Sequence, residues 1–539
     1  MKSKIHVNQL GYMTNLNKKA VFTGSGGGFE VVDAETRKTM YAGRLEKAVY
    51  DEASGDSAAV ADFSTFRRQG RYFIKAGRKN SCEFTISDSP YTAFKEAMVK
   101  AFYYNRCGAT DESYAGDYAH DACHTKPAKL FDDPDVTLDV TGGWHDSGSY
   151  GKYVTTACLA LGKILYAFKM FPSAFENKGN IPDSDKKMPD ILSECRIEFE
   201  WLLKMQNRQG GVYHKVCTLE VTDFVMPQDD EWQQYVFGCS HQATAMFVAV
   251  CALASGIYEK YDRDFADLLQ SAAFSGWIWL SNNPEYKPFA NPPEMKYTTT
   301  GDMTEDNFDD VLFWTVCELY SMTGEEVFRN KIFAMYKRVC MTGFSPKGTG
   351  GLGALAYSMC PHKTDMEVER SIRLQYRIEA DNITAVSEKN GYETSLTPEG
   401  YKLSSNIYIM NNAIMLINAY LIHKCRAYLD AAQEQLNYIL GKNPVGKCYV
   451  TGFGSDSVKN PHHRMSGFDD IDEPVPGMVV IGANGNCDDD YSKWNIPKGT
   501  PPAKCYCDNG FCYSSNETSV GCCAATLYVT AFFDSIDEI

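Results

Sequence analysis

Four soft metal-ligand side chains stand in the first third of the chain: Cys107, Cys123, His124 and His145. Two thiolates and two imidazoles complete a tetrahedral Zn²⁺ shell with no open position, which is structural rather than catalytic chemistry. The separations are 16 positions from Cys107 to Cys123 and 21 from His124 to His145, not those of a standard finger. On spacing alone, buried cysteines beside unrelated histidines read equally well. An open coordination position would instead suit a zinc-dependent hydrolase. A second group, Cys505, Cys507 and Cys512, has no histidine beside it and reads as core thiols near a loop.

Three loops carry the remaining chemistry. Residues 139–153 read DVTGGWHDSGSYGKY, a Gly-rich turn expected to run straight into a helix, with Asp146 just before it. Capping or a turn bond is the plain role of such an Asp. The second loop runs from Gly441-Lys442-Asn443-Pro444 to His462-His463-Arg464, and the two adjacent His and the Arg after Pro461 are donors that suit the orientation of sugar hydroxyls. The third, Tyr513 to Glu517, leads into a last apolar helix over about 519–534. A helix N-terminus favours the charged carboxylate. To act as a general acid, Glu517 therefore needs an apolar or carboxylate-rich cleft that raises its pKa.

The elements that must hold these loops have two textures. Over residues 1–88, short β-rich runs such as 20–22, 29–32, 59–63 and 71–75 alternate with Gly- and Asp-rich turns, as in a small antiparallel sandwich. From about residue 89 to 539 the apolar period becomes helical, as in Phe94-Met98-Phe102 and Ala243-Phe247-Val250. Long Gly- and Pro-containing loops join about a dozen such helices. The chain of 539 residues has 44% hydrophobic and 23% charged residues, ordinary globular composition that excludes a disordered or fibrous protein. A net charge of −16 disfavours nucleic acid and anionic membrane as partners. No run of about 18 apolar residues predicts a membrane span. Nineteen cysteines in a long chain do not make a disulfide framework. With no apolar run at the start, the expected compartment is cytoplasmic, the alternative being a secreted protein whose signal has been removed.

In order along the chain, Asn8-Gln9-Leu10-Gly11-Tyr12, the Gly-Gly-Trp-His-Asp turn, Gly-Lys-Asn-Pro, Pro-His-His-Arg and Asn516-Glu517 resemble glycoside hydrolase family 9. This is the inverting endoglucanase and cellodextrinase family, here its subgroup with an N-terminal immunoglobulin-like domain. The resemblance spans essentially the whole chain and implies an immunoglobulin-like β-sandwich followed by an all-α (α/α)6 barrel. It implies hydrolysis of β-1,4-glucans, with Glu517 as general acid and Asp146 helping to hold the catalytic water. His463, Arg464 and Tyr513 fall on substrate-contacting positions. Cys107, Cys123, His124 and His145 match the subgroup's structural zinc site.

The chain departs from the family at the base. The second Asp of the family's Asp-x-Gly-Asp turn is Ser149 here. An inverting mechanism needs two carboxyl groups, and a serine hydroxyl has no useful basicity at neutral pH. Three readings stay open: a variant made to trap substrate, a natural paralogue with weak or lost hydrolysis, or Asp146 acting as base. Thr518 to Cys523 replaces the family's usual Asn- and Trp-rich stretch, which bears on substrate preference. The acidic run 300–314 aligns with the family's calcium loop, but its usual Glu is Val311. The expected ligand is a soluble cello-oligosaccharide. The rival function is a non-hydrolytic glycan-binding protein on the same scaffold.

Overall fold

The computed structural model describes residues 4–24, 27–146, 148–175, 179–185, 187–222, 224–295 and 308–536. Packing gathers the chain into two compact units, one of Met1–Ala101 with Ala380–Ile539, the other of Phe102–Glu379.

The first unit opens with two sheets. One has the order β1 (Ile5–His6), β3 (Lys19–Thr23), β7 (Asp56–Asp62), β6 (Val49–Asp51). The other runs β2 (Gly11–Met13), β10 (Phe84–Ser87), β8 (Gly70–Ala76), β4 (Gly28–Asp33), β5 (Thr39–Arg44), with β9 (Lys79–Asn80) paired to β8. Alternation along the strands sends Val7, Phe22, Phe29, Val31, Phe63, Tyr72, Ile74 and Ile86 into one core. All neighbours are antiparallel except β2 and β10, which pair in parallel. A Cβ at Gly11 would stand 2.2 Å from the Thr85 carbonyl oxygen, so only glycine permits that pairing.

The Asn-Gln-Leu-Gly-Tyr motif is a seam to the C-terminal part of the same unit. Asn8 Nδ2 donates to Asn437 Oδ1 at 2.9 Å, and the Gln9 N–H donates to the Leu440 carbonyl at 2.9 Å. Lys19 reaches Glu393 at 2.5 Å; Lys442, fully buried, reaches Glu393 at 2.7 Å and Glu434 at 2.5 Å. Burial alone would raise the Glu393 carboxyl, but Lys442 and Lys19 together hold it down at about 2. This assigns Gly-Lys-Asn-Pro to structure. Asn443 is buried as well and donates to the Tyr438 and Lys447 carbonyls, so this half of the second loop does not present donors to a sugar. The helix Ser405–His423 packs on Arg426–Ile439 and on Val520–Asp534.

In the second unit the helix His241–Tyr258 is central and packs on Val154–Met170, Arg263–Asn282 and Asp309–Thr323. It is long and apolar enough to cross a membrane, although no span was expected from the sequence. Its burial inside the unit accounts for its composition. Gly350–Ser358 packs on Asp309–Thr323, where a Cβ at Gly353 would meet Phe313 at 2.6 Å. A five-stranded sheet that the sequence reading missed holds the loops. Its order is β12 (Asp133–Leu138), β11 (Ala128–Leu130), β15 (Tyr235–Cys239), β14 (Tyr213–Cys217), β13 (Lys152–Tyr153). The expected calcium loop lies outside the described residues as far as 307. Beyond it, Asp309 pairs with Arg338, and Asp310 accepts the Cys340 N–H at 3.1 Å.

Candidate active site and metal centre

In the second unit, residues 105–107 and 143–145 form a short antiparallel ladder. The Cys107 N–H donates to the Gly143 carbonyl at 2.7 Å, and the His145 N–H to the Asn105 carbonyl at 2.8 Å. A Cβ at Gly143 would stand 2.7 Å from Trp201 and 2.9 Å from Glu198 Oε2, and its φ is +75°, so the turn requires glycine there. The ladder and the Cys123–His124 segment bring the ligand atoms of Cys107, Cys123, His124 and His145 within 4.8 Å of one another.

The donor set fits Zn²⁺. His124 Nδ1 and His145 Nε2 face each other at 3.3 Å. Zn–N bonds of about 2.0–2.1 Å give a tetrahedral N···N edge of about 3.3–3.4 Å. On its far side His124 Nε2 lies 3.3 Å from Asp230 Oδ2, the outer carboxylate that fixes a ligand histidine's tautomer. Burial opposes charge on His124, yet Asp230 and the Cys107 sulfur hold its pKa up at about 9. Burial pushes His145 down to about 4. The Cys123 thiol, aided by Lys152, holds Cys107 well below the ordinary thiol range despite its burial. His124 adopts φ +49°, a strained conformation of order 1–3 kcal/mol that ligand positions tolerate.

The same framework sets the turn at 146–151. Asp146 is buried, and its N–H donates to the Gly151 carbonyl at 3.0 Å. Ser149 is half-buried. Tyr150, next to it, packs on His145 at 4.9 Å and His124 at 5.5 Å and donates to the Val225 carbonyl at 2.6 Å. Of the two plain roles expected for Asp146, helix capping is not the one it plays: the helix Val154–Met170 has Tyr153 as its N-cap, and β13 intervenes. Two buried carboxylates that the sequence reading did not single out grip Trp144. Its N–H donates to Glu198 Oε2 at 2.6 Å and its indole to Glu194 Oε1 at 2.8 Å. Arg106 closes on both oxygens of Glu194 at 3.1 and 2.7 Å. Burial, with Asp146 adding to it, pushes Glu198 up to about 8. Their sequence signal is two acids at i and i+4 among the apolar residues of Asp190–Lys204.

Glu517, His463, Arg464 and Tyr513 belong to the first unit, where the structure brings their segments together. Segment 515–518 is pinned from both sides. Its His462 neighbour pairs with Glu517 in parallel, the His462 N–H donates to the Asn516 carbonyl at 2.8 Å, and the Ile481 N–H to the Glu517 carbonyl at 2.9 Å. Glu517 is half-buried and follows the short helix Tyr513–Asn516 as its C-cap. The final helix is Val520–Asp534, capped by Ser519. Asn516 is buried and accepts the Tyr506 hydroxyl. Burial pushes His462 down to about 4; it donates through Nδ1 to the Gly510 carbonyl at 2.5 Å, which makes Nε2 the acceptor nitrogen. His463 caps Arg464–Phe468 by accepting the Ser466 N–H on Nδ1 at 3.3 Å, which leaves its proton on Nε2. Arg464 is buried, whereas Tyr513 is 42% exposed, an aromatic face of the kind sugars stack on.

Known proteins resemble this chain in sequence and fold. Residues 91–530 match the family model for glycosyl hydrolase family 9, and residues 1–81 that of the cellulase N-terminal ig-like domain. A cellodextrinase of Butyrivibrio fibrisolvens is 35% identical over 536 residues, 96% of this chain and 97% of its own. A xyloglucan-specific endo-beta-1,4-glucanase of Bacteroides ovatus is 31% identical over 560 residues, 99% and 94% of the two chains. Among solved structures, the Zn-binding triple mutant of the family 9 endoglucanase J30 has a TM-score of 0.91 at 31% identity, covering 97% of this chain and 99% of its own. By class, then, this is a glycoside hydrolase fold: an N-terminal immunoglobulin-like sandwich followed by an all-α (α/α)6 barrel. The chain belongs to glycosyl hydrolase family 9.

Proposed function

We propose that this chain binds soluble cello-oligosaccharides at a family 9 glucanase site and hydrolyses them slowly or not at all, because Ser149 stands where the catalytic base belongs. The observation that carries this is the intact support around a substituted position. The ladder, the Cys/His cluster, Tyr150 and the grip on Trp144 hold the turn, and only the basic group is missing. In this reading Glu517 donates a proton to the departing glycosidic oxygen. Asp146 holds water, and Ser149 offers that water a hydrogen bond without removing its proton. Tyr513 stacks on a sugar ring, while His463 and Arg464 orient hydroxyls. Cys107, Cys123, His124 and His145 hold a structural Zn²⁺, whose closed shell supplies stability and no open position for chemistry. Nineteen cysteines with none in a disulfide suit a reducing, cytoplasmic setting, where insoluble cellulose is out of reach.

The test compares the chain with Ser149→Asp, following both sugar release from a cello-oligosaccharide and its binding by calorimetry. Restoring the base should raise the rate by about 10²–10⁴. A given chain already as fast as the variant would move the base role to Asp146. Tight binding without turnover in either protein would favour the glycan-binding reading, for which Ser149 is the supporting feature. No binding and no turnover would sink both.

A further inference from the structure

A cavity of about 670 Å³ lies inside the second unit, lined by no residue given a role above. Its size is that of a small-ligand site, about 300–1,000 Å³. The last turns of Val154–Met170, His241–Tyr258 and Asp309–Thr323 and the start of Arg263–Asn282 enclose it. Val154 directly follows the turn 139–153, and Lys169 stands about 22 Å further along that helix, so the cavity is remote from the turn. Its floor holds a buried acid. Glu318 is 2% exposed, and its Oε1 accepts the Tyr166 hydroxyl at 2.6 Å and the Trp314 indole at 3.0 Å. Its Oε2 has no bond among the described residues, a costly state for a buried polar atom. Lys169 is half-buried, with Nζ 6.0 Å from the Tyr166 ring centre and no hydrogen bond or ion pair among the described residues. It acts on the Glu318 carboxyl through space without reaching it. Phe168 and Tyr261 line the wall, their ring centres 6.5 Å apart. At the mouth Gly256 is exposed, and a Cβ there would meet nothing within 4 Å. Packing therefore does not require glycine at this helical position, where it costs about 1 kcal/mol relative to alanine. Its effect is to leave the opening uncovered.

We propose that this cavity is a second saccharide site, which takes a neutral mono- or disaccharide with a sugar face on Phe168 or Tyr261 and hydroxyls on Glu318 and Lys169. The lining selects that class. Lys169, Lys260 and Arg263 stand against Glu259, Asp267 and Glu318, so neither a cation nor an anion finds a wall of opposite charge. Arg263 is already held by Glu259 at 2.7 Å and Asp267 at 3.2 Å. What is left is an acceptor oxygen, a donor ammonium and aromatic faces. The hydroxyls and the C–H face of a pyranose satisfy that set together. Burial pushes the Glu318 carboxyl up to about 7, so both of its forms are present near neutral pH. A hydroxyl donates or accepts and pairs with either form, whereas an ion pairs with one. The site shares no residue with the proposed catalytic reading and stands or falls without it.

The test follows amide hydrogen exchange of the full chain with glucose or cellobiose added to about 20 mM, enough to fill a millimolar site. Peptides covering 252–263 and 314–322 should exchange at least about twofold more slowly with either sugar. Gly256→Trp fills the mouth from an exposed position and should abolish that protection at unchanged melting temperature. Lys169→Met, which removes the donor and keeps the stem, should weaken the apparent affinity at least about tenfold; if one variant fails to fold, the other decides. No protection of these peptides by either sugar, protection that survives the variants, or equal protection by spermidine or inorganic phosphate would each overturn the proposal. A change over residues 508–518 reports the proposed catalytic site instead, so each site is judged on its own peptides. Protection confined to 508–518 would sink the cavity proposal and leave the glycan reading standing.

Discussion

The turn 139–153 and the segment 505–519 solve the same problem differently. Each must hold a functional position on irregular backbone. The turn is held largely from other segments, its own His145 joining a Cys/His cluster with Cys107, Cys123 and His124, and its Trp144 gripped by buried carboxylates of the helix Asp190–Lys204. The segment is held by backbone bonds to its neighbours at 462 and 481 and by buried amides and hydroxyls such as Asn516, Tyr506 and Ser515. In the proposed reading the turn braced from other elements carries the substituted residue, Ser149, and the segment braced by its own backbone and amides keeps its acid, Glu517. Support and chemistry are therefore separable. On that reading a scaffold can retain what positions a base after the base is replaced, because the bracing touches Trp144, His145 and Tyr150 rather than position 149.

The sharpest break of that comparison combines both regions. In the Ser149→Asp protein, Glu517→Gln should remove about 10²–10⁴ of the restored rate while cello-oligosaccharide binding persists. An unchanged rate would take Glu517 out of the acid role. Next in size is the acid response of the segment. His462 has its pKa depressed by burial to about 4 against an ordinary 6.5, so the folded state binds fewer protons than the unfolded one. Its contribution is fully present above pH 6.5 and is lost as pH falls toward 4, on the order of 2–3 kcal/mol. Urea unfolding between pH 7 and 4.5 should show a shallower loss in His462→Gln; parallel curves would contradict the assignment. For the turn, Asp230→Asn should weaken zinc affinity about 10- to 100-fold, read by competition with a chromophoric chelator. Equal affinity would remove Asp230 from the metal's support. Smallest is Tyr513→Ala, expected to cost about 1 kcal/mol in oligosaccharide binding with no change in melting temperature.

The helices were legible wherever apolar residues kept a 3.6 period, as in His241–Tyr258 and Arg426–Ile439. Met366–Lys389 escaped although Val368, Ile372, Tyr376 and Ala380 recur every fourth residue, because charges fill the rest of its surface and the stripe is one residue wide. The five-stranded sheet escaped because its strands are short and distant in sequence, so only tertiary pairing defines them. The Cys/His cluster was legible by residue type and not by spacing, since a ladder rather than a short loop brings Cys107 to His145. The structural role of Lys442 and Asn443 was not legible: a polar motif in a loop looks the same whether its partners are solvent or a buried Glu393 and Glu434. Glu194 and Glu198 were passed over because a carboxylate on an apolar helix face announces burial without naming its partner.

The seam at the N-terminal motif also sets a timetable for synthesis. Asn8 bonds to Asn437, 429 positions later, and Lys19 to Glu393, 374 positions later. These strands leave the ribosome several hundred residues before the partners of these polar groups are made. Contacts of such long range delay folding, and the sandwich completes its packing only when the helices near the other end of the chain arrive. A nascent chain halted before residue 393 would carry Lys19, Asn8 and Gln9 without these counterparts, three polar groups that only later residues pair.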